Sequence, residues 1–196
     1  SALSHLQVIY IMTHDSIGLG EDGPTHQPIE VLPALRALPN CLTFRPADGA
    51  EVNGAYRAAL ENKSGPSVIC LTRQKVPALS GSSADKVGFG AYQVISNGER
   101  PDVILVATGS EVGLCVSAAE ALKTDGITVN VVSMPCMELF AKQPAEYKRH
   151  VFPNGVPVIS VEASSTVGWS RYSHVCIGID TFGKSGPYEH VYKALG

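Results

Sequence analysis

The sequence predicts an α/β protein of two domains with mostly parallel sheets, and three observations predict it. Short apolar runs without polar alternation recur along the 196 residues, as strands buried on both faces require. Between them lie stretches with apolar residues at helical spacing, so strands and helices alternate. Midway, "VPALSGSSADKVGFGAY" at 76–92 interrupts the pattern with Ser and Gly and no period, after which the alternation resumes.

The elements follow in order. Residues 8–12 are a continuous apolar run, expected as a buried strand. A loop rich in glycine and proline follows. A short helix is expected over 29–38 and a second strand over 41–44. Asp48 opens a helix with Glu51 three residues on, the spacing of a capping box. Its apolar face is Val52, Ala55, Tyr56, Ala59 and Leu60. "SGP" at 64–66 ends it, and 67–71 is a third strand. Residues 76–92 read as a linker crossing the surface. Beyond it, 103–107 is a strand, and Thr108 and Glu111 read as caps of a helix running through Leu122. Strands over 128–133, 156–161 and 175–179 and helices over 144–151 and 190–195 complete the series. As domains, this divides the chain into 1–75, a linker over 76–90, and 91–196.

Composition narrows the function classes. Apolar residues make up 44% and charged residues 17%, a globular balance. The net charge is −3 with no basic cluster, which argues against nucleic acid or an anionic membrane as partner. The apolar runs are far shorter than a membrane span. Five cysteines at 41, 70, 115, 136 and 176 form no C-x-x-C pair and read as reduced, buried thiols of an intracellular protein. The start, "SALSHLQVIYIM", has no basic region or cleavage site of a signal peptide and reads as the interior of something longer.

The chemistry concentrates in "MTHDSIGLGEDGPTHQPIE", residues 12–30, with two histidines, four carboxylates and no lysine or arginine. Three glycines and two prolines exclude one long helix there. Gly18, Gly20 and Gly23 let a small ligand approach. Glu21 and Asp22 accept hydrogen bonds from hydroxyls, and His14 and His26 donate, accept or carry protons near neutral pH. A loop without cations suits a polyol better than a polyanion. His14 and Asp15 follow the first strand, Arg45 the second and Arg73 the third. In a parallel sheet all three exits share the ligand-binding edge, where Arg73 would hold one remote phosphate or carboxylate. The bland alternative is a surface loop whose carboxylates cap helices. A metal site on His14, Asp22 and His26, serving a hydrolase, matches no tight ligand spacing. A Ser-His-Asp triad lacks the G-x-S-x-G elbow. "ATGSE" at 107–111 reads as helix capping, Glu162 as a paired structural charge, and Trp169 as packing.

"THDSIGLGEDGPTHQPIE" closely resembles the substrate loop of transketolases. "LPNCLTFRPADGAEV", "LTRQKVP", "PDVILVATGSEV" and "GIDTFGKSG" resemble the same family, in the family's order. The resemblance runs along essentially the whole chain; dihydroxyacetone synthases share the loop. It implies a thiamine diphosphate-binding-like fold followed by a transketolase C-terminal-like domain, the first part being the later part of the pyrimidine-binding domain. It implies ketol transfer between phosphorylated sugars, in a homodimer that uses thiamine diphosphate and a divalent cation (Mg or Ca). Residues absent from this chain would hold both, so no cofactor-binding or metal-binding residue is expected here and the chain alone is expected to be inactive. Residue by residue, the resemblance gives His14 the sugar phosphate or a distal hydroxyl, and Asp22 the donor's C2 hydroxyl. His26 lies near the C1 hydroxyl and the reacting carbon, and Arg73 pairs with the substrate phosphate. The implied home is the cytoplasm, with plastid or another organelle left open. A non-catalytic module that kept the fold is the alternative to an enzyme.

Overall fold

A computed structural model describes residues 1–196. Two sheets organise the chain. The first has three strands in the order β1-β3-β2, made of β1 (Ile9–Thr13), β2 (Leu42–Phe44) and β3 (Ser67–Leu71), all parallel. The second has five in the order β4-β6-β5-β7-β8, made of β4 (Tyr92–Ile95), β5 (Val103–Ala107), β6 (Val129–Ser133), β7 (Val158–Val161) and β8 (Val175–Ile177). Only β4 runs antiparallel to its neighbour. The helices are α1 (Val31–Ala37), α2 (Gly49–Glu61), α3 (Glu111–Thr124), α4 (Met137–Ala141), α5 (Ala145–Val151) and α6 (Tyr188–Leu195). No helix is long and apolar enough to cross a membrane.

Several expectations need correction. β1 is not a buried strand: it lies at the sheet edge, and Tyr10, Ile11 and Met12 are exposed. Its apolar run asks for cover that no element of this chain supplies. In α2, Asp48 does cap, its Oδ1 accepting from the N–H groups of Ala50 and Glu51. Glu51 does not close the box; its carboxylate accepts from Ala47 N–H and from the Tyr92 hydroxyl. The buried face of α2 is Glu51, Gly54, Ala55 and Ala59, while Tyr56 and Leu60 face solvent. Segment 76–92 is not wholly on the surface: Val87, Ala91 and Tyr92 are buried, while Asp85, Lys86, Gly88 and Phe89 stay exposed. The helix α4 and the strand β4 had no counterpart in the sequence reading.

Candidate functional site

β1 and β3 are register partners, Thr13 lying beside Leu71. His14 and Thr72 therefore leave the sheet at the same level of the same edge, and Arg73 is one residue further on. The two exits touch: Gln74 packs on Gly18, where a β-carbon would lie 2.2 Å from its Oε1.

Between these exits the loop folds into two short 3₁₀ turns, Ile17–Leu19 and Pro24–His26. Ser16 starts the first, its Oγ accepting from Gly18 N–H. Gly20 and Gly23, at φ 85° and 80°, supply the reversals between them. The interior of the loop is apolar: Ile17 and Ile29 pack with Ala163, Ile179 and Val191 of the C-terminal half. Its outside is chemistry. His14, Asp22, His26 and Arg73 are all exposed. The His14 and His26 rings each bond only the hydroxyl of the preceding threonine, at 2.9 Å. The Arg73 guanidinium takes part in none of the four ion pairs. No hydrogen bond joins the four residues to one another. His14 and Arg73 share the sheet edge, Asp22 and His26 stand open on the loop that leaves it, and together they have the capacity to accept from hydroxyls, move protons and pair one anion.

His14 itself has φ 66°. A non-glycine residue in the left-handed region is uncommon, histidine being among the more tolerant types. Such a conformation persists where neighbours over-determine it. The next residue shows how: Asp15 is buried, and its Oδ2 lies 2.7 Å from Arg45 Nε.

Arg45, the residue after β2, behaves differently from His14 and Arg73. It does not reach the crevice; it is fully buried. Its Nη1 donates to the carbonyl and hydroxyl of Thr108, both at 3.0 Å, and to Glu111. Thr108 and Glu111 therefore do not cap α3. They hold an arginine from the other domain, and the α3 N-cap, Ser110, makes no side-chain capping bond. Burial alone would weaken the charged form of Arg45, but Asp15 and Glu111 more than offset it. Thr108 Oγ1 donates onward to Glu162, which also takes a bidentate pair from Arg36 at 2.8 and 2.6 Å and a bond from Trp169 Nε1. Glu162 is thus the paired structural charge that was expected, and Trp169 is packed in the core. Burial pushes Glu162 up, but Arg36 and Arg45 win and hold it down at about 2.

The metal-site alternative and the cysteines can be read from the same geometry. No three His, Cys, Asp or Glu side chains converge to hold a metal ion. Burial pushes the Cys70 and Cys115 thiols up to about 12, which makes both poor nucleophiles at neutral pH.

The sequence reading also missed Gln27. Its buried amide donates to the carbonyls of Gly20 and Lys184 at 2.8 and 2.9 Å and accepts from Lys184 N–H at 3.1 Å. Gly183 makes room for it, since a β-carbon there would lie 1.8 Å from Gln27 Oε1. Ser185 Oγ donates to the Glu21 carbonyl and Ser164 Oγ to that of Ile29. The glycine density of "GIDTFGKSG" was the available signal for this contact.

Comparison with known proteins gives two family matches. Residues 1–78 match the model described as "Transketolase, pyrimidine binding domain", and residues 90–196 the "Transketolase-like TK C-terminal domain". Transketolase 1 of Candida albicans is 54% identical over 193 residues, covering 98% of this chain and 28% of that protein. The chloroplastic transketolase of Solanum tuberosum is also 54% identical, over 100% of this chain and 27% of its own length. Among solved structures, the transketolase from Leishmania mexicana superposes with a TM-score of 0.97 at 51% identity, over 100% of this chain and 29% of that one. The chain spans under a third of the length of these relatives.

Proposed function

Because this chain belongs to the transketolase family, we propose that it is the substrate-loop and C-terminal portion of a transferase moving a two-carbon ketol unit between phosphorylated ketose and aldose sugars. The parallel pairing of β1 with β3 carries the reading, since it brings His14 and Arg73 to one edge. His14 and Arg73 take the far end of the sugar, Arg73 pairing with its phosphate. Asp22 accepts from the C2 hydroxyl of the aldose, since C2 of the ketose is its carbonyl carbon. His26 receives or returns a proton beside the C1 hydroxyl and the reacting carbon. The loop's lack of cations supports this division, with hydroxyl acceptors in the middle and one guanidinium at the end.

The family implies thiamine diphosphate, which supplies carbanion chemistry when bound. No three His, Cys, Asp or Glu side chains converge here to take a divalent cation, and the family resemblance puts the groups that hold the diphosphate elsewhere. The proposal therefore assigns cofactor binding to other parts of a longer enzyme, working as a homodimer in the cytosol or a plastid, and predicts no ketol transfer by the 196 residues alone. A dihydroxyacetone synthase would use the same loop with an unphosphorylated acceptor.

The test is Arg73→Ala in the full-length enzyme. A lost charge-assisted pair costs roughly 1.5–3 kcal/mol, or about ten- to a hundredfold in KM for phosphorylated acceptors. Unphosphorylated acceptors should be little affected. Equal effects on both would refute the phosphate role, and full activity of the isolated chain with added cofactor would refute the division of labour.

A further inference from the structure

We propose that the C-terminal domain acts on the sugar loop directly: Glu111, through Arg45 and Asp15, is a positioning residue for His14, and Gln27, docked on the backbone at Lys184, is one for Asp22 and His26. The proposal rests on reading residues 14–26 as the sugar-binding loop.

The two attachments bracket that loop. Asp15 is the residue after His14, and Gln27 the residue after His26. Both are buried, whereas the two histidines are exposed and their rings bond nothing beyond the neighbouring threonine. Where the rings stand is therefore set by the backbone, and the backbone is fixed by the buried residue on each side.

The first attachment is ionic and crosses the domains. Asp15 holds Arg45 Nε, and Arg45 Nη1 holds Glu111 and Thr108. The backbone of Arg45 is fastened too: its N–H donates to the Pro135 carbonyl and its carbonyl accepts from Gly109 N–H, both at 2.9 Å. Glu111 is itself held by Ala163 N–H at 3.0 Å, the Tyr192 hydroxyl at 3.2 Å and Ser110 Oγ at 2.6 Å. Asp15 Oδ1 and Arg45 Nη2 are buried without a hydrogen-bond partner, so the pair depends on the single Nε–Oδ2 contact between them. The left-handed φ of His14 lies at its end.

The second attachment is an amide exchanging hydrogen bonds with backbone. It fixes the Pro24–His26 turn against residues 183–185, with Ser185 reaching back to the Glu21 carbonyl beside Asp22. A small shift of a substrate-holding group is enough to change rates by about a hundredfold.

The two attachments predict different kinetic signatures in the full-length enzyme. Glu111→Gln should raise KM for phosphorylated substrates about tenfold with kcat nearly unchanged, since His14 holds the distal end. Gln27→Ala should lower kcat about tenfold, since Asp22 and His26 face the reacting carbons. Tyr192→Phe, which removes one hydrogen bond from Glu111 and leaves its charge, should shift KM the same way by about threefold, so the proposal survives a folding failure of Glu111→Gln. Hydrogen exchange, which needs no substrate, should rise over 13–17 in the Glu111 and Tyr192 variants and over 20–27 in the Gln27 variant. Variants that melt earlier yet keep wild-type KM, kcat and loop exchange below their melting temperature would overturn the proposal. Raised loop exchange with equal kinetic effects on phosphorylated and unphosphorylated substrates would support the coupling and refute only the sugar assignment.

Discussion

Replacing Glu162 with glutamine tests the buried ionic network through pH. In the folded chain, burial favours the neutral acid, but Arg36 at 2.6 Å, Arg45 and the Thr108 hydroxyl hold the carboxyl at about 2, against 4.5 for the free group. A depressed folded value means that the unfolded chain binds the proton more readily than the native one. The stabilisation is therefore complete above about pH 4.5 and is lost as pH falls towards 2. At 1.36 kcal/mol per pH unit, the interval from 4.5 to about 2 is worth about 3 kcal/mol. Glu162→Gln keeps the shape and removes the charge, leaving Arg36, only 11% exposed, without its anion. Breaking a buried pair on one side costs about 3–5 kcal/mol, so that is the expected gap at pH 7. Trp169 is the only tryptophan, and its Nε1 donates to Glu162 at 2.9 Å. Urea unfolding of the 196-residue chain followed by its fluorescence reads the site directly. Between pH 5 and 2 the wild type should lose about 3 kcal/mol more than the variant, closing most of the gap. A gap that stays constant across that range would refute the claim that Glu162 is ionised and paired.

The remaining predictions follow from single contacts. Gly109→Ala places a β-carbon 2.8 Å from Arg45 Cζ at a residue with φ 54°. The backbone term alone is about 1–2 kcal/mol, so displacement of Arg45 should take the total loss, read from the urea midpoint, beyond that. Asp22→Ala in the full-length enzyme should blur preference between aldoses epimeric at C2; an unchanged ratio of kcat/KM values would remove Asp22 from that role. Ile11→Lys, on the open edge strand, should reduce self-association of the isolated chain in sedimentation velocity.

What the sequence discloses here depends on the range of the interaction. The runs at 67–71 and 103–107 coincide with β3 and β5 because an unbroken apolar stretch is a local property. The sheet edge bearing His14 and Arg73 was legible for the same reason, since alternation of strand and helix makes strands parallel and parallel strands share their exits. The five residues of α4 are too few to display a helical period, and β4 lies against a segment dense in Ser and Gly. Tyr56 and Leu60 sit on the apolar stripe of α2 as read, yet are exposed. Periodicity identifies the stripe and says nothing about whether a neighbour covers it. Thr108 and Glu111 have the spacing of caps, and their actual partner is more than sixty residues away in sequence. No local pattern can express that.

The distribution of buried charge explains why the two domains have one way to meet. Asp15, Arg36 and Arg45 come from the first half, Thr108, Glu111 and Glu162 from the second. Separated, the first half would expose or strand two guanidinium groups against one carboxylate, and the second half two carboxylates against none. Well-packed apolar residues of equal volume are often as stable as buried ion pairs, so stability alone is a poor reason for this arrangement. Specificity is a better one. An apolar interface tolerates sliding, whereas Arg45, gripped by Asp15 on one side and Glu111 on the other, pays a full desolvation penalty in any other register. The segment 14–26 hangs from Asp15 at one end and Gln27 at the other, both fastened to the second domain. A single docking register therefore holds the backbone on either side of His14 and His26 in one arrangement, set by the charges beneath it.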